Sequence, residues 1–139
     1  LLKRNNLIFV CAAATSENQG FLGRERLMLI SPDSALVLLS RASVVDFDCL
    51  TELALSGRLR IATDVFPDEP LSLDHPIRGA QGSLLSAHRA GALEAVIFDM
   101  GRYVLDDISL MEKGLSPVSC RKASLETVVK SRSKPVTVT

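Results

Sequence analysis

The chain has 139 residues, 47% of them hydrophobic, a composition typical of one globular domain with a reasonable core and not of a disordered segment. Its 16 basic and 16 acidic side chains cancel, which argues against a nucleic-acid partner or an anionic membrane surface, because neither would meet a net field. No apolar run is long enough to cross a bilayer and no signal peptide precedes the first predicted strand, so no membrane partner is expected.

The three cysteines, Cys11, Cys49 and Cys120, have neither zinc-ligand nor disulfide spacing. We therefore expect a reducing, cytoplasmic location, and we interpret each cysteine as a small buried hydrophobic residue. The two histidines, His75 and His88, follow no recognisable ligand pattern, so no metal site is predicted.

The first part of the chain alternates between predicted strands and helices. A continuous apolar run at residues 7–11 predicts a strand buried on both faces, and a loop at 15–20 precedes a short helix at 21–30. Residues 35–39 predict the second strand, and residues 58–64 the third. The helix between them runs to about residue 56, where Gly57 ends it, and Ser43 or Asp46 can cap it. Its predicted inward positions are Val45, Cys49, Leu50 and Leu53.

The second part of the chain contains an irregular loop at residues 71–81, a short strand at 83–86 and a long helix at 92–113 that Gly114 closes. An apolar stripe along this helix predicts core or a subunit interface, and we expect a homodimer. The stripe consists of Leu93, Val96, Ile97, Met100, Val104, Ile108 and Met111. Residues 131–139 are predicted to be a frayed tail.

This order of elements predicts an α/β fold: a three-layer, Rossmann-like parallel sheet with a long C-terminal helix. The predicted domain covers residues 1–115, and a C-terminal segment and tail follow at 116–139. Because right-handed crossovers bring the carboxyl ends of parallel strands to one edge, we expect four separated residues to meet in one crevice. They are Arg41, Asp64, Glu69 and His88.

These four side chains together could bind a 2-oxo acid and move a proton. A histidine beside a carboxylate is a good acid/base at neutral pH, and Glu69 is the natural partner of His88. The planar fork of Arg41 can grip a carboxylate, and Asp64 could accept a hydrogen bond from an amide. Taken singly, each residue has an ordinary surface interpretation, and His75 is predicted to be exposed and structural.

Three ordered segments resemble the D-isomer-specific 2-hydroxyacid dehydrogenases, a family that includes phosphoglycerate dehydrogenase and glyoxylate/hydroxypyruvate reductase. The segments are Leu38-Leu39-Ser40-Arg41, Asp64-Val65-Phe66-Pro67-Asp68-Glu69-Pro70-Leu71 and Ser86-Ala87-His88-Arg89-Ala90-Gly91. The resemblance implies an oxidoreductase that transfers a hydride between NAD or NADP and a small 2-hydroxy or 2-keto acid.

The resemblance also implies residue roles. His88 would be the general acid/base, Glu69 would hold its proton, and Arg41 would bind the substrate carboxylate. Asp64 would hold the nicotinamide carboxamide, and Ala13 would lie beside the adenosine half of the cofactor. The implied cofactor-binding residues are Ala13, Leu39, Ser40, Arg41, Asp64, His88, Ala90 and Gly91.

The chain departs from the family pattern in several places. Ala42 stands where a glycine commonly follows the arginine, and Ala13 and Ala87 replace frequent prolines. No G-x-G-x-x-G occurs, so we expect the chain to lack the first βαβ half and the substrate domain, and to bind dinucleotide poorly alone. A non-catalytic, NAD-binding or corepressor-like regulatory module on the same fold stays open, as does an α/β domain with an unrelated ligand.

Overall fold

A computed structural model describes residues 1–91 and 93–121 of the chain. They belong to two compact units, Leu1–Ala87 and the described part of His88–Val129. The first unit is built on a parallel sheet whose strands lie in sequence order. These strands are β1 (Leu7–Val10), β2 (Ser34–Leu38), β3 (Leu59–Thr63) and β4 (Leu84–Leu85). The predicted α/β fold with a parallel sheet is thereby confirmed. The predicted boundary at residue 115 stays a prediction.

Two α-helices connect the first three strands: α1 (Arg24–Leu27) and α2 (Phe47–Leu55). Of the two predicted caps, Ser43 and Asp46, the structure shows Asp46, whose carboxylate caps α2 by accepting the Cys49 N–H at 3.0 Å. Gly57 follows the helix with a φ of +72°, a left-handed conformation that glycine adopts without steric cost. Short 3₁₀ helices occur at Leu2–Arg4, Ala42–Val44 and Pro76–Gly79.

The predicted helix at residues 21–30 is wrong in its extent, since α1 covers only Arg24–Leu27. Leu22 instead forms a parallel bridge with Val45. The Leu22 N–H donates to the Val44 carbonyl at 2.9 Å, and the Leu22 carbonyl accepts the Asp46 N–H at 3.0 Å. Because these backbone groups serve the bridge, they are not used in a first helical turn.

The core of the first unit lies on one face of the sheet. Leu36, Leu38, Leu59 and Ile61 are buried there, in one cluster with the inward residues of α2. The prediction that the first strand is buried on both faces is wrong, because Leu7 is 55% exposed and Phe9 is 59% exposed. Their alternation with the buried Ile8 and Val10 is the pattern of a strand with one covered face.

The second unit contains α3 (Glu94–Glu112), which ends before Gly114 at a φ of +75°. The interpretation of its apolar stripe as core is wrong, since Val96 is half-buried and the other stripe residues are exposed. The buried side chain of this helix is Asp107, whose carboxylate accepts backbone N–H groups of residues 118–120. A role of the stripe as a subunit interface stays a prediction.

Three other expectations concern the cysteines, the C-terminal tail and membrane spans. Of the cysteines, Cys49 is buried as predicted, but Cys11 and Cys120 are exposed, so the buried interpretation is wrong for both. The predicted frayed tail at 131–139 lies outside the described residues. Across the described part of the chain, no helix combines the length and hydropathy that a membrane crossing requires.

Candidate active-site edge

The carboxyl ends of the strands form a continuous edge in the first unit. The Leu39 N–H donates to the Val10 carbonyl at 3.3 Å, and the Asp64 N–H donates to the Leu38 carbonyl at 3.1 Å. The Ser86 N–H extends the row by donating to the Thr63 carbonyl at 2.9 Å. Neighbouring strands are roughly 4.8 Å apart, so the residues that follow β2 and β3 emerge side by side.

Ser40 and Arg41 leave the sheet directly after β2. Arg41 is half-buried in an extended conformation, and its Nη1 donates to the Ser40 carbonyl at 2.7 Å. The Ser40 hydroxyl is buried and has no hydrogen-bond partner in the described structure. A buried hydroxyl without a partner is costly and uncommon, so it marks a place where a ligand atom could bind.

The loop after β1 is fixed beside this edge by a residue that the sequence did not single out. The Asn18 side chain accepts the Thr15 N–H at 2.8 Å, and its amide group donates to the Ala13 carbonyl. The Gly20 N–H donates to the Ser43 carbonyl at 2.8 Å, which joins this loop to the segment after Arg41. The polar run at residues 15–20 could have indicated this role of Asn18, because asparagine side chains commonly close such turns.

Asp64 and Glu69 occupy different environments on the turn after β3. Asp64 is only 3% exposed, whereas Glu69 is exposed. The Thr63 hydroxyl donates to the Val65 carbonyl at 2.8 Å and accepts the Val65 N–H at 3.3 Å, which fixes the backbone on either side of Asp64. The Glu69 Oε1 accepts the Phe66 N–H at 3.0 Å, so its carboxylate is folded back onto its own turn.

His88, Ala90 and Gly91 belong to the second unit. His88 is half-buried and has a φ of +53°, in the left-handed region that disfavours side chains with a Cβ. Among the described residues other than glycine, it shares a positive φ only with Asp33. Ala90 and Gly91 are exposed. Such backbone strain clusters at functional sites, where the surrounding structure maintains it.

The prediction that His75 is exposed is wrong. It is half-buried, its ring contacts the Phe47 ring edge-on, and its Nδ1 accepts the Ile77 N–H at 3.2 Å. The loop position misled the sequence argument, because a histidine before proline can cap a short 3₁₀ helix as well as face solvent.

Comparison with known proteins identifies the family to which the chain is related. Residues 1–90 match the family described as D-isomer specific 2-hydroxyacid dehydrogenase, NAD binding domain. The chain belongs to this dehydrogenase family. The resemblance stated from the sequence motifs is therefore confirmed.

Individual members of the dehydrogenase family align over most of the chain. A crystal structure of a phosphoglycerate oxidoreductase from Rhizobium etli superposes with a TM-score of 0.77 at 48% identity, covering 88% of this chain and 37% of that protein. The glyoxylate/hydroxypyruvate reductase B of Pectobacterium atrosepticum is 29% identical over 121 residues, 86% of this chain. The chain spans 38% of that reductase and 22% of the D-3-phosphoglycerate dehydrogenase of Archaeoglobus fulgidus, which is 28% identical over 116 residues.

Proposed function

We propose that the protein carrying this chain is an NAD- or NADP-dependent oxidoreductase that interconverts a small D-2-hydroxy acid and its 2-keto acid. The observation that carries the proposal is the match of residues 1–90 to the NAD-binding domain of the dehydrogenase family. The reductase of P. atrosepticum is named for glyoxylate and hydroxypyruvate, and this supports a small 2-keto acid as the substrate.

Arg41 is the proposed anchor for the substrate carboxylate. Its position just beyond the carboxyl end of β2 supports this role, because ligands of open α/β sheets bind outside that edge. A guanidinium presents a planar set of donors that matches a carboxylate bidentately. A substrate held in this way would have its carbon 2 and the attached oxygen in a defined orientation.

Glu69 and His88 are the proposed acid/base pair. The imidazolium of His88 would donate a proton to the 2-oxo oxygen during reduction, and the neutral ring would take it back during oxidation. Glu69 would stabilise the imidazolium by its negative charge. Two observations support this role. The Glu69 carboxylate is held by a hydrogen bond to its own turn, and the His88 backbone is held in a strained conformation.

The residues at the strand ends are the proposed binding site for the nicotinamide end of a dinucleotide. The unpartnered Ser40 hydroxyl and the buried Asp64 would hold its polar groups, together with Leu39, Arg41, His88, Ala90 and Gly91, and Ala13 would lie toward the adenosine end. The sequence contains no G-x-G-x-x-G turn for the pyrophosphate. When bound, the nicotinamide supplies or accepts the hydride.

The proposal predicts that replacing His88 removes most of the turnover. In the protein that carries this chain, His88→Ala should lower kcat by about two to four decades, the range for loss of a general acid/base. Initial rates with glyoxylate, hydroxypyruvate and pyruvate, each against NADH and NADPH, would measure it. Cofactor binding without turnover in the parent protein would favour the regulatory module, and an unchanged rate in His88→Ala would end the catalytic assignment.

The proposal also predicts that Arg41→Ala raises KM for the keto acid by about ten- to a hundredfold, since a bidentate ionic contact is lost. Arg60→Ala is the matched control. Arg60 is exposed on β3 and donates to the Asp33 carbonyl near the opposite ends of the strands. The same increase of KM in both variants would show that general charge, and not a substrate anchor, is responsible.

A further inference from the structure

We propose that His75 and Arg78 are positioning residues that hold Glu69 in place from both sides of its turn. The inference rests on the proposed function, in which Glu69 pairs with His88. Both residues lie in the loop of residues 71–81, to which the family resemblance assigned no role. Every contact that carries the argument lies within the first unit.

The position of the Glu69 carboxylate depends on the backbone of Phe66. The Glu69 Oε1 accepts the Phe66 N–H at 3.0 Å, and the residue itself is exposed. A glutamate side chain has several rotatable bonds, and this contact restricts its conformation. The contacts that fix Phe66 therefore also restrain the Glu69 carboxylate.

Phe66 is fixed by a chain of aromatic contacts that ends at His75. The Phe66 and Phe47 rings are both buried, with centroids 6.0 Å apart at 72°. The Phe47 and His75 rings are 5.9 Å apart at 70°. Such edge-to-face pairs are the favoured aromatic geometry. Phe47 is the first residue of α2, so the chain of rings rests on the capped end of a core helix.

A backbone hydrogen bond fixes the orientation of the His75 ring. Its Nδ1 accepts the Ile77 N–H at 3.2 Å, which caps the 3₁₀ helix Pro76–Gly79, and Ile77 is fully buried. The imidazole therefore makes two contacts: its Nδ1 accepts a hydrogen bond at the start of the 3₁₀ helix, and its ring packs against Phe47. A side chain that supplied only one of these contacts would support the chain of rings incompletely.

Arg78 holds the other side of the turn. Its Nε donates to the Ser72 carbonyl and its Nη2 to the Leu71 carbonyl, each at 2.8 Å. Leu71 follows Glu69 by only two residues, so one rigid guanidinium fixes the chain just beyond the carboxylate. The Glu69 backbone is thus restrained by Phe66 before it and by Leu71 after it.

Loss of either support should lower kcat more than it raises KM, because Glu69 acts on the proton donor and does not bind the substrate. In the protein that carries this chain, His75→Leu and Arg78→Met should each lower kcat by about ten- to a hundredfold, as a displacement of about 1 Å can. His75→Asn should lower kcat less than His75→Leu does, because its side-chain oxygen can accept the Ile77 N–H although it has no ring to pack against Phe47. Arg60→Met is the control for Arg78→Met, since it also loses a guanidinium contact to a backbone carbonyl.

A double-mutant cycle with Glu69→Gln separates positioning from general damage. In the Glu69→Gln background, His75→Leu and Arg78→Met should lower kcat no further, because the group that they position is already lost. Equal losses in both backgrounds, or a loss shared by Arg60→Met, would overturn the positioning role. An unchanged kcat in Glu69→Gln alone would overturn the pairing with His88 and this inference with it. A lowered kcat in Glu69→Gln together with an unchanged kcat in His75→Leu and Arg78→Met would overturn only this inference and leave the pairing of Glu69 with His88 in place.

Discussion

Two buried hydroxyl groups at the ends of β2 and β3 differ in their hydrogen bonding, and this difference indicates which of them contributes to stability and which to ligand binding. The Ser40 hydroxyl has no partner among the described residues, whereas the Thr63 hydroxyl makes two hydrogen bonds to Val65. A buried hydroxyl without a partner lowers the free energy of unfolding by about 1–3 kcal/mol, whereas a buried hydrogen bond raises it by about 1 kcal/mol. We infer that Thr63 stabilises the edge and that Ser40 is available to a ligand.

At the residue scale, Ser40→Ala should leave the free energy of unfolding unchanged or raise it by up to about 3 kcal/mol, and it should raise the NADH or NADPH dissociation constant by about two- to tenfold. Thr63→Val should instead destabilise the fold by about 1–3 kcal/mol, because it leaves buried groups of Val65 without their partner. Urea unfolding and fluorescence titration measure the two quantities. A Ser40→Ala variant that unfolds as readily as Thr63→Val would contradict this distinction.

At the scale of elements, Asp107 attaches the segment after α3 to the helix. Its Oδ1 accepts the Val118 N–H at 2.8 Å, and its Oδ2 accepts the Cys120 N–H at 2.6 Å and the Ser119 N–H at 3.0 Å. These N–H groups, that of Val118 above all, lower the pKa of Asp107 to about 2. The contact with Asp107 in turn raises the pKa of the Cys120 thiol.

Asp107→Asn should therefore speed hydrogen exchange at Val118, Ser119 and Cys120, whereas Asp106→Asn, an exposed neighbour on α3, should not. The direction of the pH effect follows from the lowered pKa. The pKa of an aspartate in an unfolded chain is about 4, so the charged Asp107 carboxylate stabilises the folded unit fully above about pH 4. This contribution is lost as the pH falls through about 2, the pKa in the folded state. Protection that persists at pH 2, or equal exchange in both variants, would refute the attachment.

At the scale of the whole molecule, the sheet of the first unit carries its core on one face. Leu36 is fully buried, whereas Leu7, Phe9 and Leu84 are exposed. Parallel sheets usually have both faces covered, so the exposed side chains are the unusual feature. Burial, and not hydrophobicity alone, determines which of these residues stabilise the fold.

Leu36→Ala should cost about 2–5 kcal/mol of unfolding free energy, because it leaves a cavity in the core. Phe9→Ala should cost less than about 1 kcal/mol, although it removes a larger side chain, because that side chain is already in contact with solvent. Chemical denaturation of both variants measures the difference. A comparable loss in Phe9→Ala would mean that the outer face of β1 is covered in solution.

The sequence by itself determined the order of strands and helices, a cap for α2 at Ser43 or Asp46, the turn at Gly57 and the family. These features follow from local chemistry: apolar periodicity, a capping carboxylate, a residue without Cβ and short motifs. The meeting of the ends of β2 and β3 was also predictable, because parallel strands with right-handed crossovers share one edge.

Only the tertiary structure decided which apolar residues are core and which polar residues fix the site. Phe9 and the α3 stripe have the same composition as core segments, and their exposure depends on what packs against them. The contacts of His75 with Phe47 and of Asp107 with residues 118–120 join positions 28 and at least 11 residues apart. No local pattern encodes such contacts, because they arise when separate elements pack.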